Sequence, residues 1–300
     1  MIMWLITIIL AYFFFSLASL GDKFILAGTP KPKAYTFFVG ISNIAIIFLI
    51  PFINFSFPEL KILPWIILEA MIFIFGLYVM YSALEKFDVS RVATTMGAAQ
   101  PVLILFLSWI VWGTGTISKT NILAFILLLL GTVIISMGKN YKATGGYLKI
   151  TLFASLIFSL DYILTKIIFL SQPFLLGLFW MRIFAFFFAL LILIPKKNRT
   201  EILGKRDILN KKTGTIFVLT NASGGIATLL QAFAISLVPI AFLPILNSLR
   251  GIQYVFLFLM TLFLSFFLPK ILKEEISKKI ILQKIISIIL IVGGLAILVL

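Results

Sequence analysis

Charged side chains inside long apolar segments are the residues of this sequence best suited to chemistry. Asp161 and Lys166 lie in the stretch "FSLDYILTKIIF", and Glu69 lies in "PWIILEAMIF". A charge at the centre of a bilayer costs about 2.5–3.5 kcal/mol, so it needs a partner, a water-filled cavity or a route to the surface. We interpret Asp161 as a residue that binds a cationic group or a coupling proton, with a structural buried ion pair as the alternative. Glu69 is a second candidate proton carrier, or an ordinary interfacial carboxylate.

The basic residues within apolar segments allow two interpretations each. Lys23 and Lys166 lie near segment ends, where a long side chain can extend to the lipid headgroups. Alternatively, they face the two ends of a central cavity and attract anionic groups. Arg182 lies near the middle of its segment, too deep to extend easily, and we expect it to pair with Asp161.

Polar side chains also recur with helical spacing in two later segments. Asn247, Arg250 and Tyr254 follow an i, i+3, i+7 pattern, which places them on one helix face. Such stripes either line a cavity or form helix–helix contacts in lipid. The candidate substrate-binding or coupling residues are Asp161, Lys166, Lys23, Glu69, Arg250, Asn247, Tyr254, Asn221, Thr228, Gln231 and Gln100, with Arg182 and Pro101 in structural or gating roles.

The elements that position these residues are predicted to be membrane-spanning helices. Hydrophobic residues make up 62% of the 300 residues, and the mean hydropathy is +1.20. Runs of about 20 apolar residues recur throughout, and each is long enough to cross a bilayer. We therefore predict an all-α, polytopic membrane protein with ten spans, at residues 2–28, 34–53, 62–82, 89–112, 120–138, 147–170, 173–194, 214–235, 240–268 and 280–300.

The composition narrows the possible functions. The chain contains no Cys and no His, which removes thiolate chemistry, disulfides and the usual zinc ligands. We expect no metal, no cofactor and no catalytic residues. The net charge of +15 suits anionic lipid headgroups rather than nucleic acid, because the basic residues lie at the ends of apolar segments.

The distribution of basic residues predicts an orientation in the cell membrane. The loops after odd-numbered segments carry most of the Lys and Arg, whereas the loops on the side of the termini carry little more than Lys61 and Lys119. The positive-inside rule then places the odd-numbered loops in the cytoplasm and both termini outside.

The two halves of the chain resemble each other. When the first segment is laid on the sixth, Phe15-Ser16-Leu17 matches Phe158-Ser159-Leu160, and Lys23 matches Lys166. Five helices per half is an odd number, so equivalent helices cross the membrane in opposite directions. The chain is predicted to consist of two inverted-topology five-helix repeats, residues 1–142 and 143–300.

Several motifs resemble the EamA-type family of the drug/metabolite transporter (DMT) superfamily. They are the 5+5 layout, the Lys near the end of segments 1 and 6, the Pro-containing "AQPVLILFLSWIVWG" (99–113) and the Gly-containing "LLLLGTVIISMG" (127–138) with its counterpart "IVGGLAILVL" (291–300). The resemblance implies that segments 1, 3, 4, 6, 8 and 9 surround a transport pathway. Members of that family often have cytoplasmic termini, opposite to the orientation that the charges predict here.

These observations predict a secondary transporter that moves a small metabolite, amino-acid-like or another polar solute, by alternating access. A translocator of lipids or lipid-linked sugars on the same fold is the alternative, and a membrane-embedded enzyme is a remote one. The expected partners are the small-molecule substrate and membrane lipid. Segments 5 and 10 contain almost no polar residues, so we expect them to face lipid or a second subunit in a homodimer.

Overall fold

The structure, a computed structural model, describes residues 2–26, 32–87, 89–113, 119–136, 145–203, 211–267 and 278–299. Almost all of these residues are helical, which confirms the all-α fold class. The α-helices in chain order are α1 (Ile2–Leu26), α2 (Pro32–Ser42), α3 (Leu63–Lys86), α4 (Val89–Trp112), α5 (Lys119–Ser136), α6 (Gly145–Ser171), α7 (Phe174–Leu191), α8 (Lys196–Leu203), α9 (Lys211–Leu237), α10 (Leu243–Ser248), α11 (Gly251–Phe267) and α12 (Lys278–Val299).

The helices have the length and composition of a multi-pass membrane protein. Within the described residues, nine helical stretches are long and apolar enough to cross a bilayer. The segment predicted as the fifth span, Lys119–Ile135, is apolar but shorter than these nine. Large apolar side chains such as Phe48, Phe106 and Leu282 are exposed on the outside of the bundle, which is the surface that lipid would cover.

Two of the predicted spans are not continuous α-helices. After α2, the chain tightens into a 3₁₀-helix, Asn43–Phe52, which contains Pro51. The ninth predicted span begins with a short 3₁₀ turn, Ile240–Phe242, and then divides into α10 and α11. The break falls at Leu249 and Arg250, inside a stretch that the sequence analysis treats as one helix.

The break follows from a change in backbone hydrogen bonding. The Arg250 N–H donates to Asn247 O and the Ile252 N–H donates to Leu249 O, at 3.1 and 2.9 Å, three residues back instead of four. The carbonyls of Leu246 and Ser248 thereby lose their regular α-helical partners. The Tyr12 hydroxyl donates to Leu246 O at 3.0 Å, and the hydroxyl of Thr132 donates to Ser248 O at 3.0 Å. Side chains from α1 and α5 therefore satisfy the backbone that the break exposes, as an apolar environment requires.

The helices pack in pairs around the interior. Helix α1 packs along α9 and against α11, whereas α6 packs against both α3 and α4. Helices α5 and α12 pack closely against each other, because Gly131 lies against Ile291 and Gly294 lies against Leu128. The expectation that segments 5 and 10 face lipid or a second subunit therefore applies only to their outer faces, where Leu123 is exposed.

Candidate functional site

Three charged residues predicted separately from the sequence come together between α3, α6 and α7. Arg182 donates from Nη2 to Glu69 Oε1 at 2.7 Å, and Asp161 lies beside Glu69 and near Arg182. The guanidinium of Arg182 also lies 4.2 Å from the centre of the Phe73 ring. We call Glu69, Asp161 and Arg182 the charged triad. The expected partner of Arg182 was Asp161, but the structure shows the ion pair with Glu69.

Two members of the charged triad, Glu69 and Arg182, are deeply buried, and Asp161 is partly buried. Glu69 is 0% exposed and Arg182 is 8% exposed. At 1.5 Å per residue, the three residues lie about 9–15 Å from the ends of their helices on one side of the bundle. Full burial and the ion pair with Arg182 distinguish Glu69 from an exposed interfacial carboxylate.

The charges of the triad do not balance. Two carboxylates and one guanidinium carry a net charge of −1, and no donor of the described chain reaches Glu69 Oε2 or Asp161 Oδ1. The two carboxyl groups lie close to each other, and a hydrogen bond between them would require a proton on one of them, which would also neutralise that group. Buried charges are tolerated when they are paired and hydrogen-bonded, so the geometry suits one shared proton.

A second polar group surrounds the break between α10 and α11, and we call it the polar cluster. Arg250 lies at the break, and its Nη1 donates to Gln100 Oε1 of α4 at 2.5 Å. The Asn247 and Gln231 side chains lie near the Tyr162 hydroxyl. Its members come from α1, α4, α6, α9, α10 and α11, and they are Tyr12, Gln100, Tyr162, Gln231, Asn247, Arg250 and Tyr254.

Several buried polar atoms of this cluster have no partner of good hydrogen-bonding geometry within the described part of the chain. They are the Tyr162 hydroxyl, Asn247 Oδ1 and Arg250 Nε. Asn247 is 2% exposed and Tyr162 is 5% exposed. Unpaired buried polar groups are rare in folded proteins and call for a specific explanation.

Helix α4 approaches the cluster closely because of two special residues. Pro101 lies inside α4, and it has no N–H to donate to the carbonyl four residues earlier, at Gly97. A side chain at Gly97 would contact the Tyr254 hydroxyl, so the glycine leaves room for Tyr254. Pro101 is thus placed next to the cluster, and its gating role stays a prediction.

Lys166 is buried and does not reach either surface of the bundle. It is 3% exposed, and its ammonium donates to Ile235 O, Ser236 O and Val238 O at 3.0, 3.2 and 2.6 Å. These carbonyls lie at the C-terminal end of α9, where a helix lacks internal donors and favours a cation. These contacts contradict the interpretation that the Lys166 side chain extends to the lipid headgroups. Its predicted contact with substrate stays a prediction, and the side chain of Lys23 lies outside the described part of the chain.

Three predicted residues lie on α9, namely Asn221, Thr228 and Gln231. Asn221 donates to Phe217 O at 3.0 Å, and Thr228 donates to Gly224 O at 2.8 Å. Both hydrogen bonds are made within α9 itself, and a role of these two residues in substrate binding stays a prediction. The Gln231 side chain lies near the Tyr162 hydroxyl.

Tyr12 and Tyr162 are not among the residues predicted from the sequence. Both are buried in the apolar interior, and a buried tyrosine hydroxyl normally has a partner. Tyr162 follows Asp161 directly, which is a signal available from the sequence. Within the described residues, no three His, Cys, Asp or Glu side chains lie together as a metal site would need.

No family model matches the chain, and no curated protein matches it. Solved structures do share its fold. One of them, described only as "Crystal structure of protein", has a TM-score of 0.67 and 16% sequence identity, over 97% of this chain and 94% of its own. At this identity the likeness establishes the fold alone, over nearly the whole length of both chains.

Proposed function

We propose that this protein is a secondary transporter that moves a small polar metabolite across the cell membrane by alternating access. The observation that carries the proposal is the polar cluster, which lies at a helix break in the interior of an apolar bundle. Transporter substrate sites commonly form where helices are discontinuous near the bilayer midplane. The substrate class we favour is amino-acid-like or another polar solute.

The packing of the helices supports an architecture of two inverted five-helix repeats of the EamA type, residues 1–142 and 143–300. If α6 is taken as the counterpart of α1 and α9 as the counterpart of α3, then α1 packs on α9 as α6 packs on α3. The last helices of the two halves, α5 and α12, pack on each other. The interior between the halves is then the pathway, and alternating access consists of rocking one half against the other.

The charged triad is the proposed site for a coupling proton. Its two carboxyl groups and one guanidinium are neutral with one proton and carry a charge of −1 without it. Asp161 and Tyr162 are neighbours on α6, so one helix contributes to both the triad and the polar cluster. Protonation of the triad is thereby linked to the position of a helix that lines the proposed substrate site.

Counterflow in proteoliposomes tests the proposal. The purified protein is reconstituted into liposomes loaded with unlabelled amino acids, carboxylates or sugars, and uptake of each labelled solute is measured. We expect at least one solute to accumulate above the level of protein-free liposomes. Asp161→Asn should reduce that uptake, whereas Glu85→Gln, which changes an exposed carboxylate of α3, should not.

The same preparation addresses the alternative on this fold. If no water-soluble solute exchanges but a fluorescent polyprenyl-linked sugar crosses the bilayer, the protein is a lipid-linked sugar translocator. If neither class moves, the transport proposal is wrong.

A further inference from the structure

The Nη1 and Nε atoms of the Arg250 guanidinium differ in their hydrogen bonding. Nη1 is occupied, because it donates to Gln100 Oε1 at 2.5 Å. Nε is buried and has no acceptor among the residues that the structure describes. A guanidinium has five N–H donors in a fixed plane, and the edge formed by Nε and one terminal nitrogen matches the two oxygens of an acid group.

No carboxylate among the described residues pairs with the Arg250 guanidinium. Three tyrosines, Tyr12, Tyr162 and Tyr254, interact with its charge, and no carboxylate does. The buried carboxylates Glu69 and Asp161 belong to the charged triad, where Arg182 is the cation. Among the described residues, Arg250 is thus a partly buried cation without a paired carboxylate.

Two further buried polar groups lie near the guanidinium. The Tyr162 hydroxyl is a donor and acceptor, and Asn247 Oδ1 is an acceptor; among the described residues neither atom has a partner of good hydrogen-bonding geometry, although the Tyr162 hydroxyl lies close to the Asn247 and Gln231 side chains. Asn247 also precedes the break by two residues, so it is held next to Arg250 by the Arg250 N–H···O bond of 3.1 Å. The three groups together offer two donors for an oxyanion and one acceptor for a donor group beside it.

We infer that the Nε edge of Arg250 binds an oxyanion of the ligand, a carboxylate or a phosphate. The Tyr162 hydroxyl is the second donor to this oxyanion, and Asn247 Oδ1 accepts a hydrogen bond from an adjacent N–H or O–H of the same ligand. The inference rests on the proposed function in that it treats the polar cluster as the substrate site. Gln100 positions the guanidinium by occupying its other edge.

Thermal unfolding of the purified protein in detergent and in nanodiscs tests this site. The soluble probes are L-amino acids, each compared with the amine that lacks its carboxylate, and inorganic phosphate. The lipid probe is a polyprenyl phosphate in phosphatidylcholine nanodiscs. A ligand that binds the folded state raises the unfolding temperature by mass action, and we expect the acid of at least one pair to do so and its amine not to.

The variants show whether binding depends on the planar Nε edge of Arg250 or only on its positive charge. Arg250→Lys keeps the positive charge but has no planar edge, and it should weaken binding at least about tenfold. Tyr162→Phe removes only the hydroxyl and should also weaken binding, so it provides the test if Arg250→Lys does not fold. Arg199→Lys, at an exposed position of α8, is the matched control and should bind like the wild type.

The outcomes distinguish this inference from the transport proposal. A shift with soluble carboxylates or phosphate, or one with polyprenyl phosphate alone, supports the site and identifies the source of the oxyanion. No shift with any acid, or equal shifts in wild type, Arg250→Lys and Tyr162→Phe, overturns it. If binding depends on Arg250 but no solute undergoes counterflow, the binding site is supported and the transport proposal is refuted. If counterflow is unchanged in Arg250→Lys, the transport proposal is supported and the binding site is refuted.

Discussion

Replacement of Arg182 by methionine should strongly destabilise the protein, because it removes the cation of the charged triad and leaves Glu69 and Asp161 facing each other. Breaking a buried ion pair by removing one partner costs about 3–5 kcal/mol. That range corresponds to about two to four powers of ten in the folding equilibrium. The ion pair is 2.7 Å long and Glu69 is fully buried, so screening by solvent does not reduce this estimate.

A triple variant tests whether unbalanced charge, rather than altered packing, causes this loss of stability. Glu69→Gln, Asp161→Asn and Arg182→Met together remove every charge of the triad while keeping similar volumes. Replacing a buried ion pair by neutral groups of similar size is often neutral or stabilising, so we expect the triple variant to regain most of the stability that Arg182→Met loses. The change in stability should therefore be far from the sum of the single effects.

Equilibrium unfolding in mixed micelles, followed by circular dichroism, provides the measurement. Arg199→Met, at an exposed position, is the control and should change the free energy of unfolding by less than about 1 kcal/mol. The reasoning is refuted if Arg182→Met is as stable as this control. It is also refuted if the triple variant is no more stable than Arg182→Met alone.

Three further predictions concern separate parts of the molecule. Lys166→Met should lower the free energy of unfolding by at least about 1.5–3 kcal/mol in the same unfolding assay, because three carbonyls at the end of α9 lose a charged donor. Gly131→Ala should cost about 1–3 kcal/mol, since its new methyl group would lie 2.7 Å from the Ile291 side chain, whereas Gly293→Ala, with nothing within 4 Å, should cost little. A C-terminal reporter that is active only in the cytoplasm should be inactive if the positive-inside count is right, and an active reporter would reverse the orientation.

The sequence was sufficient to predict the apolar helices and most of their ends. Their signal is local, because long apolar runs and Pro or Gly at their boundaries are visible in one stretch of chain. The break at Leu249 and Arg250 was not predicted, since Gly251 alone does not specify it. The break depends on Tyr12 and Thr132, which are distant in sequence.

The candidate charged residues were also found from sequence, but their pairing was not. Depth in the membrane identifies Glu69, Asp161 and Arg182 as residues that need partners. Which of them pair depends on how α3, α6 and α7 pack, and helix spacing carries no information about that. Of the α9 residues selected from the sequence, Gln231 lies near Tyr162, and a contact that joins two helices in this way is not visible in the spacing of either helix.

The adjacency of Asp161 and Tyr162 on α6 has a thermodynamic consequence. Any rotation of α6 displaces both side chains together, and neither the charged triad nor the polar cluster can rearrange through α6 alone without affecting the other. If a proton at the triad and a ligand at the cluster favour different positions of this helix, each changes the affinity of the other by the same factor. Different preferences make each weaken the binding of the other, whereas a shared preference makes each strengthen it, and the difference in affinity between the two helix positions sets the size of the effect.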